Sequence, residues 1–307
     1  MEITKEEISS WLKKLQDEIC LALELADGKS RFEEENWTRE EGGGGRTRII
    51  KDGSVFEKGG VLFSEVHGET PEFLYREKTH TGAGIDEKEK NSTFFATGVS
   101  IVIHPQSPLV PIIHMNVRYF EMSTGTKWLG GGIDLTPHYI FKEDAQFFHS
   151  ELKRISDKHH PDYYTKFKKW ADDYFFINHR NETRGIGGIF FDRLNYSAEM
   201  SFEKNLAYWK DVGQIFAPTY CELVLRNKNK SYTEQNKKWQ LLRRGRYVEF
   251  NLVYDKGTKF GLETNGRTES ILMSLPKFVS WEYNFKPEEN SEEEKTLALL
   301  KKGIQWA

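Results

Sequence analysis

Ile8, Trp11, Leu12, Leu15, Ile19, Ala22, Leu23 and Ala26 recur at helical spacing on a charged background. They predict an amphipathic helix over 4–27, with Gly28 placed to close it. The pattern then changes. Segments 46–50 and 60–67 have strand character about an Asp52-Gly53 turn. Segments 99–104 and 112–121 make a second strand pair, joined by a loop that holds Pro105, Pro108 and Pro111. Helical patterning returns in 143–158, in 161–178 and in part of 199–226. Alternation in 247–254 and 258–264 predicts a hairpin around Asp255-Lys256-Gly257. A strand or loop follows at 270–275, then a strand at 279–283 and a last helix over 293–302. Two polar stretches, 82–92 and 286–295, read as a surface loop and a solvated lead-in. There is no internal repeat and no long linker. Strands that come in hairpins, with helices between, argue for an α+β fold: one domain over 1–307, a large antiparallel sheet flanked on both faces by helices.

The 307 residues are 37% hydrophobic and 14% aromatic, enough for a large core. A net charge of −3 gives no broad attraction to nucleic acid or anionic membrane, so any anion site is a local cluster of Arg and Lys. Two cysteines, Cys20 and Cys221, stand far apart in no motif and read as two buried thiols of a reducing compartment. No apolar run reaches the roughly 20 residues of a membrane helix. The charged first segment fits a cytoplasmic protein.

Successive strand side chains face opposite ways. In 112–120 the residues Ile113, Met115, Val117 and Tyr119 form a core face, while His114, Asn116, Arg118 and Phe120 share the other. Ser100 and His104 share a face of the preceding strand. If the two strands pair, Ser100, His104, His114, Asn116 and Arg118 line one patch. An exposed sheet face, or histidines satisfied by backbone carbonyls, would give the same pattern. Asp255 sits at the expected turn, where local hydrogen bonding alone accounts for an aspartate. Asn265-Gly266-Arg267 offers a second turn, with backbone N–H groups and a guanidinium for an anion. Asp134 follows the run Gly130-Gly131-Gly132, where a ligand could approach the backbone closely. Of nine histidines, His104, His114, His149 and His179 could meet only through the fold, since there is no HExxH and no paired cysteine. No nucleophile elbow, kinase set or dinucleotide fingerprint is present. The residues describe an enzyme-like pocket rich in Arg, His and Asp, suited to a polycarboxylate.

Residues 169–192, KWADDYFFINHRNETRGIGGIFFD, resemble the signature of the oxygen-dependent coproporphyrinogen III oxidases, K-x-W-C followed by F…H-R-x-E-x-R-G-x-G-G-x-F-F-D. EGGGG, VFEKGG, GVSIVIHP, HMNVRYFE, GGGIDLTP, RRGRYVEFNLVYDKGTKFGL and ESILMSLP resemble further blocks of that family, in family order, over about 37–282. Three positions depart: Ala171 stands for the usual Cys, Lys256 for Arg, and Asn265 for Gly.

The resemblance implies oxidative decarboxylation of two propionates of coproporphyrinogen III to vinyls in haem biosynthesis. O₂ is the co-substrate, and the products are protoporphyrinogen IX, CO₂ and H₂O₂. It implies a homodimer formed through about 247–282, and no flavin, haem or nicotinamide. By the same resemblance His114, Asp255 and Arg118 are catalytic, with His114 the proton donor. Ser100, Asn116, Val117, Arg118, Asp134, Asn265, Gly266 and Arg267 bind substrate, Val117 through its backbone. The family is also described with histidine metal ligands, and His104, His114, His149 and His179 match those positions, so a divalent metal enters the expectations. Two other classes would use the same residues: a metal-dependent oxygenase or hydrolase, and a non-catalytic tetrapyrrole carrier.

Overall fold

The structure, a computed structural model, describes residues 3–70, 92–195, 200–263 and 266–307. Helix α1, Lys5–Asp27, begins where Thr4 caps it: Thr4 Oγ1 accepts from the Glu7 amide and the Glu7 carboxylate accepts from the Thr4 amide. Gly28 ends it at φ 78°, a left-handed conformation that favours glycine. The stripe Ile8, Leu12, Leu15, Ile19 and Leu23 is buried, at roughly 1.5–3 kcal/mol for each large apolar side chain. Gln16 ties the helix across two strands by donating to the carbonyls of Arg46 at 2.8 Å and Val61 at 2.7 Å.

Seven strands form one sheet: β1 (Glu33–Thr38), β2 (Gly43–Lys51), β3 (Phe56–Glu69), β4 (Thr93–Pro105), β5 (Ile112–Met122), β6 (Lys127–Thr136) and β9 (Gly188–Leu194). They lie in that order and every neighbouring pair is antiparallel. β7 (Phe176–Ile177) and β8 (Glu182–Thr183) pair apart from it. Val99, Ile101, Ile103, Ile113, Met115, Val117 and Tyr119 place one face of the sheet in the main core. The helices on that side are α1, α2 (Lys142–Asp157), α3 (Tyr163–Tyr174), α4 (Phe202–Gln214) and α5 (Phe216–Asn227). Segment 199–226 thus holds two helices rather than one. They meet at Ile215, and Pro218 sits in the first turn of α5, where a missing N–H costs little. Both cysteines are free thiols, Cys20 buried and Cys221 partly so.

The second face is covered by α6 (Glu234–Val253), α7 (Lys256–Glu263) and α8 (Thr268–Leu272). Tyr247 of α6 packs with Val102 and Ile112 of the sheet, and Met273 lies over Gly60. This corrects the hairpin expected over 247–264, and the strand or loop expected at 270–275 is the end of α8 followed by a turn. The run Tyr-Val-Glu-Phe-Asn-Leu-Val-Tyr satisfies both periods, because Tyr247, Phe250 and Asn251 are buried at i, i+3 and i+4. The helix is decided upstream. Thr233 and Asn236 form a capping box, and propagation from that nucleus carries through to Val253. Segment 279–283 is no strand either. It is a strap across α6, with Ser280 N donating to Leu241 O at 3.1 Å and Gly245 leaving room for its backbone. α9 (Glu292–Leu299) falls where a last helix was expected.

Candidate active site

The polar face expected from alternation forms without His104, which lies beyond the β4–β5 register and is buried. Ser100 lies opposite Asn116, Val102 opposite His114, and Gly98 opposite Arg118. On the other side of β5, Asp134 lies opposite His114, Gly132 opposite Asn116 and Gly130 opposite Arg118. Phe190 of β9 lies opposite Gly132. Glycines therefore make the floor flat on both sides of Arg118. A Cβ on Gly130 would stand 2.7 Å from both Arg118 Nε and Asp192 Oδ1. The strand pairs Thr47–Leu62, Leu62–Ser100 and Ser100–Asn116 run in one row across β2 to β5. Three strand spacings put Thr47 roughly 14 Å from Asn116. Arg267, which caps α8, hydrogen bonds to Thr47 Oγ1 at 3.3 Å. Two guanidiniums, Arg118 and Arg267, thus stand at opposite sides of a shallow trough.

On the β5–β6 side of this face, away from Arg267, lies a buried charge chain. His114 Nδ1 meets Asp134 Oδ1 at 2.8 Å. Arg184 Nη2 donates to both Asp134 oxygens at 2.9 and 2.7 Å, and its Nη1 donates to Asn251 Oδ1 at 2.8 Å. The Arg184 guanidinium stacks on Phe175, Tyr247 and Phe250 at 4.3–4.7 Å from the ring centroids. Burial alone would raise the Asp134 carboxyl. The Arg184 charge and the His114 hydrogen bond outweigh it and hold the group below its ordinary value. With its Nδ1–H committed to Asp134, His114 has Nε2 for proton exchange. The resemblance implies Asp134 as a direct substrate contact. Asp134 is buried with both oxygens engaged by His114 and Arg184.

Asp255 closes the trough from above. It is not at a hairpin turn but at the N-terminus of α7, where Oδ2 accepts from Thr258 N at 2.7 Å and Thr258 Oγ1 at 2.8 Å. Its Oδ1 accepts from Tyr174 OH at 2.8 Å, and the Tyr174 ring stacks on Phe190 at 4.4 Å. Arg118 pairs with Asp192 at 3.0 Å and donates to Asn116 at 3.3 Å. Val117 is fully buried on the core face, paired with Val99 and Gly131, and fixes the register of its two neighbours. Gly266 N donates to Gly261 O at 2.8 Å, so that amide serves the fold rather than an anion. Asn265 lies outside the described residues. Ala171 packs with Phe175, Ile177 and Phe250.

The four histidines proposed as metal ligands are kept apart. His104 is buried and its Nε2 donates to Ser274 O at 2.8 Å; burial, then Arg244, drive it down to about 3. His149 is buried between Tyr164 OH and Ile186 O, both at 3.0 Å, and burial drives it down to about 3. His179 bonds to Glu249 at 2.7 Å and Tyr254 at 2.8 Å. Among the described residues no three His, Cys, Asp or Glu side chains are grouped to hold a metal ion. The residues present do not fit a shared metal.

A model of the coproporphyrinogen III oxidase family matches residues 7–306. The chain belongs to the coproporphyrinogen III oxidase family. "Coproporphyrinogen-III oxidase 1, chloroplastic" of Arabidopsis thaliana is 48% identical over 304 residues, 96% of this chain and 77% of the relative. "Oxygen-dependent coproporphyrinogen-III oxidase" of Prochlorococcus marinus strain NATL2A is 46% identical over 316 residues, 95% of this chain and 88% of the relative. Its namesake in strain MIT 9312 is 43% identical over 326 residues, 99% and 93%. Arg184, Tyr174, Phe190 and Asp192 contact the candidate site residues or one another, and strand alternation missed them. All four lie in the 169–192 block that carries the family resemblance, and only the fold brings them to the trough.

Proposed function

We infer that this enzyme oxidatively decarboxylates two propionates of coproporphyrinogen III with O₂, giving protoporphyrinogen IX in haem biosynthesis. The observation that carries this reading is the pair of guanidiniums, Arg118 and Arg267, over one sheet face, with glycines flanking Arg118 and the His114–Asp134–Arg184 chain on the Arg118 side. A macrocycle bearing four carboxylates fits that arrangement, and each charge-assisted hydrogen bond contributes roughly 1.5–3 kcal/mol. Ser100 and Asn116 add neutral donors to the floor.

For each propionate, the C–C bond to the carboxylate breaks and CO₂ leaves. The carbon next to the ring loses a hydrogen, and the vinyl double bond forms. The two electrons released reduce O₂, which takes two protons to become H₂O₂. The electron-rich porphyrinogen ring passes electrons to O₂ and regains them from the cleaved side chain, so its own oxidation level is unchanged. The protein therefore contributes orientation and electrostatics. Arg118 or Arg267 holds the reacting carboxylate. Asp255 accepts pyrrole N–H groups and stabilises positive charge on the ring. His114 Nε2 delivers a proton to the reduced oxygen.

The homodimer belongs to the same proposal. Leu252, Val253, Leu262, Phe278 and Trp281 are exposed within the region assigned to it, apolar area that a second copy would cover. A cytoplasmic location is likewise proposed; no described helix is long and apolar enough to cross a membrane. The test is aerobic turnover of purified protein with coproporphyrinogen III in EDTA. Two CO₂ and two H₂O₂ per protoporphyrinogen IX support the reading. Tight porphyrin binding without CO₂ release overturns it.

A further inference from the structure

Arg267 has one partner built into the fold and one that is not. Thr47 Oγ1, which accepts from its Nη1, is buried. Glu35, which accepts from its Nη2, lies on β1, the edge strand, with 62% of its side chain exposed against 24% for Arg267. The other side of the trough is arranged the opposite way. There Asp192 is 26% exposed and Arg118 42%, and Gly130 keeps the space in which the pair sits. Asp192 is thus the sheltered member of its pair, and Glu35 the loose member of its own. The Glu35 carboxylate on its short alkyl stem is chemically the same group as a substrate propionate. Thr47 would still orient Arg267 after Glu35 had moved away.

We propose that Glu35 is a built-in competitor for Arg267. It occupies the guanidinium when the trough is empty and is displaced by a carboxylate of the tetrapyrrole, so it sets substrate affinity at the β1–β2 side. This rests on the substrate role proposed for Arg267. The competition weakens only ligands that place a carboxylate there. An exposed ion pair of this kind lowers affinity by roughly two- to fivefold.

The test is fluorescence titration with coproporphyrin III, a stable tetracarboxylate, on the full chain and on Glu35→Gln, Arg267→Gln and the double variant. Glu35→Gln is expected to bind about two- to fivefold tighter. Arg267→Gln is expected to bind more weakly, and the double variant to match Arg267→Gln. Equal or weaker binding by Glu35→Gln overturns the proposal, because Glu35 would then position Arg267 rather than compete for it. A gain that persists in the double variant also overturns it, since it reports general charge repulsion. Unchanged binding by Arg267→Gln removes the substrate role of Arg267 itself, and the proposal with it.

Discussion

Replacing Arg184 with methionine removes one charge from a pair that water hardly reaches: 3% of the Arg184 side chain and 2% of the Asp134 side chain are exposed. Methionine keeps apolar contact with Phe175, Tyr247 and Phe250, so the loss is mainly electrostatic. Breaking a buried pair from one side costs about 3–5 kcal/mol, because the remaining charge is stranded. That is a large share of the roughly 5–15 kcal/mol by which domains are stable. The pH dependence follows from the same charge. In the native chain Asp134 lies below its ordinary value, so its contribution is present above the unfolded carboxyl value and fades as pH falls through the folded one. Without Arg184, burial dominates and Asp134 prefers to be protonated. The deficit of Arg184→Met should then shrink as pH is lowered from 7 toward 5. Asp134→Asn in the Arg184→Met background should recover part of the loss. Urea unfolding across that range checks this. A deficit below about 1 kcal/mol at pH 7, or strictly additive effects in the double variant, would refute the reasoning.

Other consequences are simpler to measure. His114→Gln should lower kcat by on the order of 10²–10⁴-fold with a small change in melting temperature. Asp255→Asn retains an Oδ acceptor for the α7 cap and should lose most turnover; full turnover with normal substrate affinity would exclude the role assigned to Asp255. Arg118→Gln should raise KM by roughly 10- to 150-fold, the equivalent of one charge-assisted hydrogen bond. His104 and His149 are held neutral down to about 3. The unfolded chain therefore binds protons that the folded chain refuses between pH 6.5 and about 3, and stability falls with acid by about 1.4 kcal/mol per pH unit for each. His149→Gln should flatten that slope by one such increment in pH-dependent unfolding.

Alternation and helical spacing reached as far as a single element can. The first helix, the β4–β5 pair and the two faces of β5 follow from side-chain direction, and burial of Ile113, Met115 and Val117 enforces them. Segment 247–254 was misread because its residues satisfy two periods, and the cap at Thr233 that resolves them lies well before it. Arg184 carries no periodic signal. Its meaning depends on Asp134 from another strand and on three rings from α6 and the end of α3. The separation of the four histidines is also a property of the assembled fold, since each is claimed by a backbone carbonyl or a polar side chain near it.

The central claim is that the second face of the sheet is where the tetrapyrrole reacts. A crystal structure of the chain with coproporphyrin III bound tests it most directly. The macrocycle is expected over Gly98, Gly130 and Gly132, with His114 Nε2 facing the ring, Asp255 toward the pyrrole nitrogens, and carboxylates on Arg118 and Arg267. A macrocycle bound elsewhere, or in the trough with neither guanidinium engaged, would contradict it.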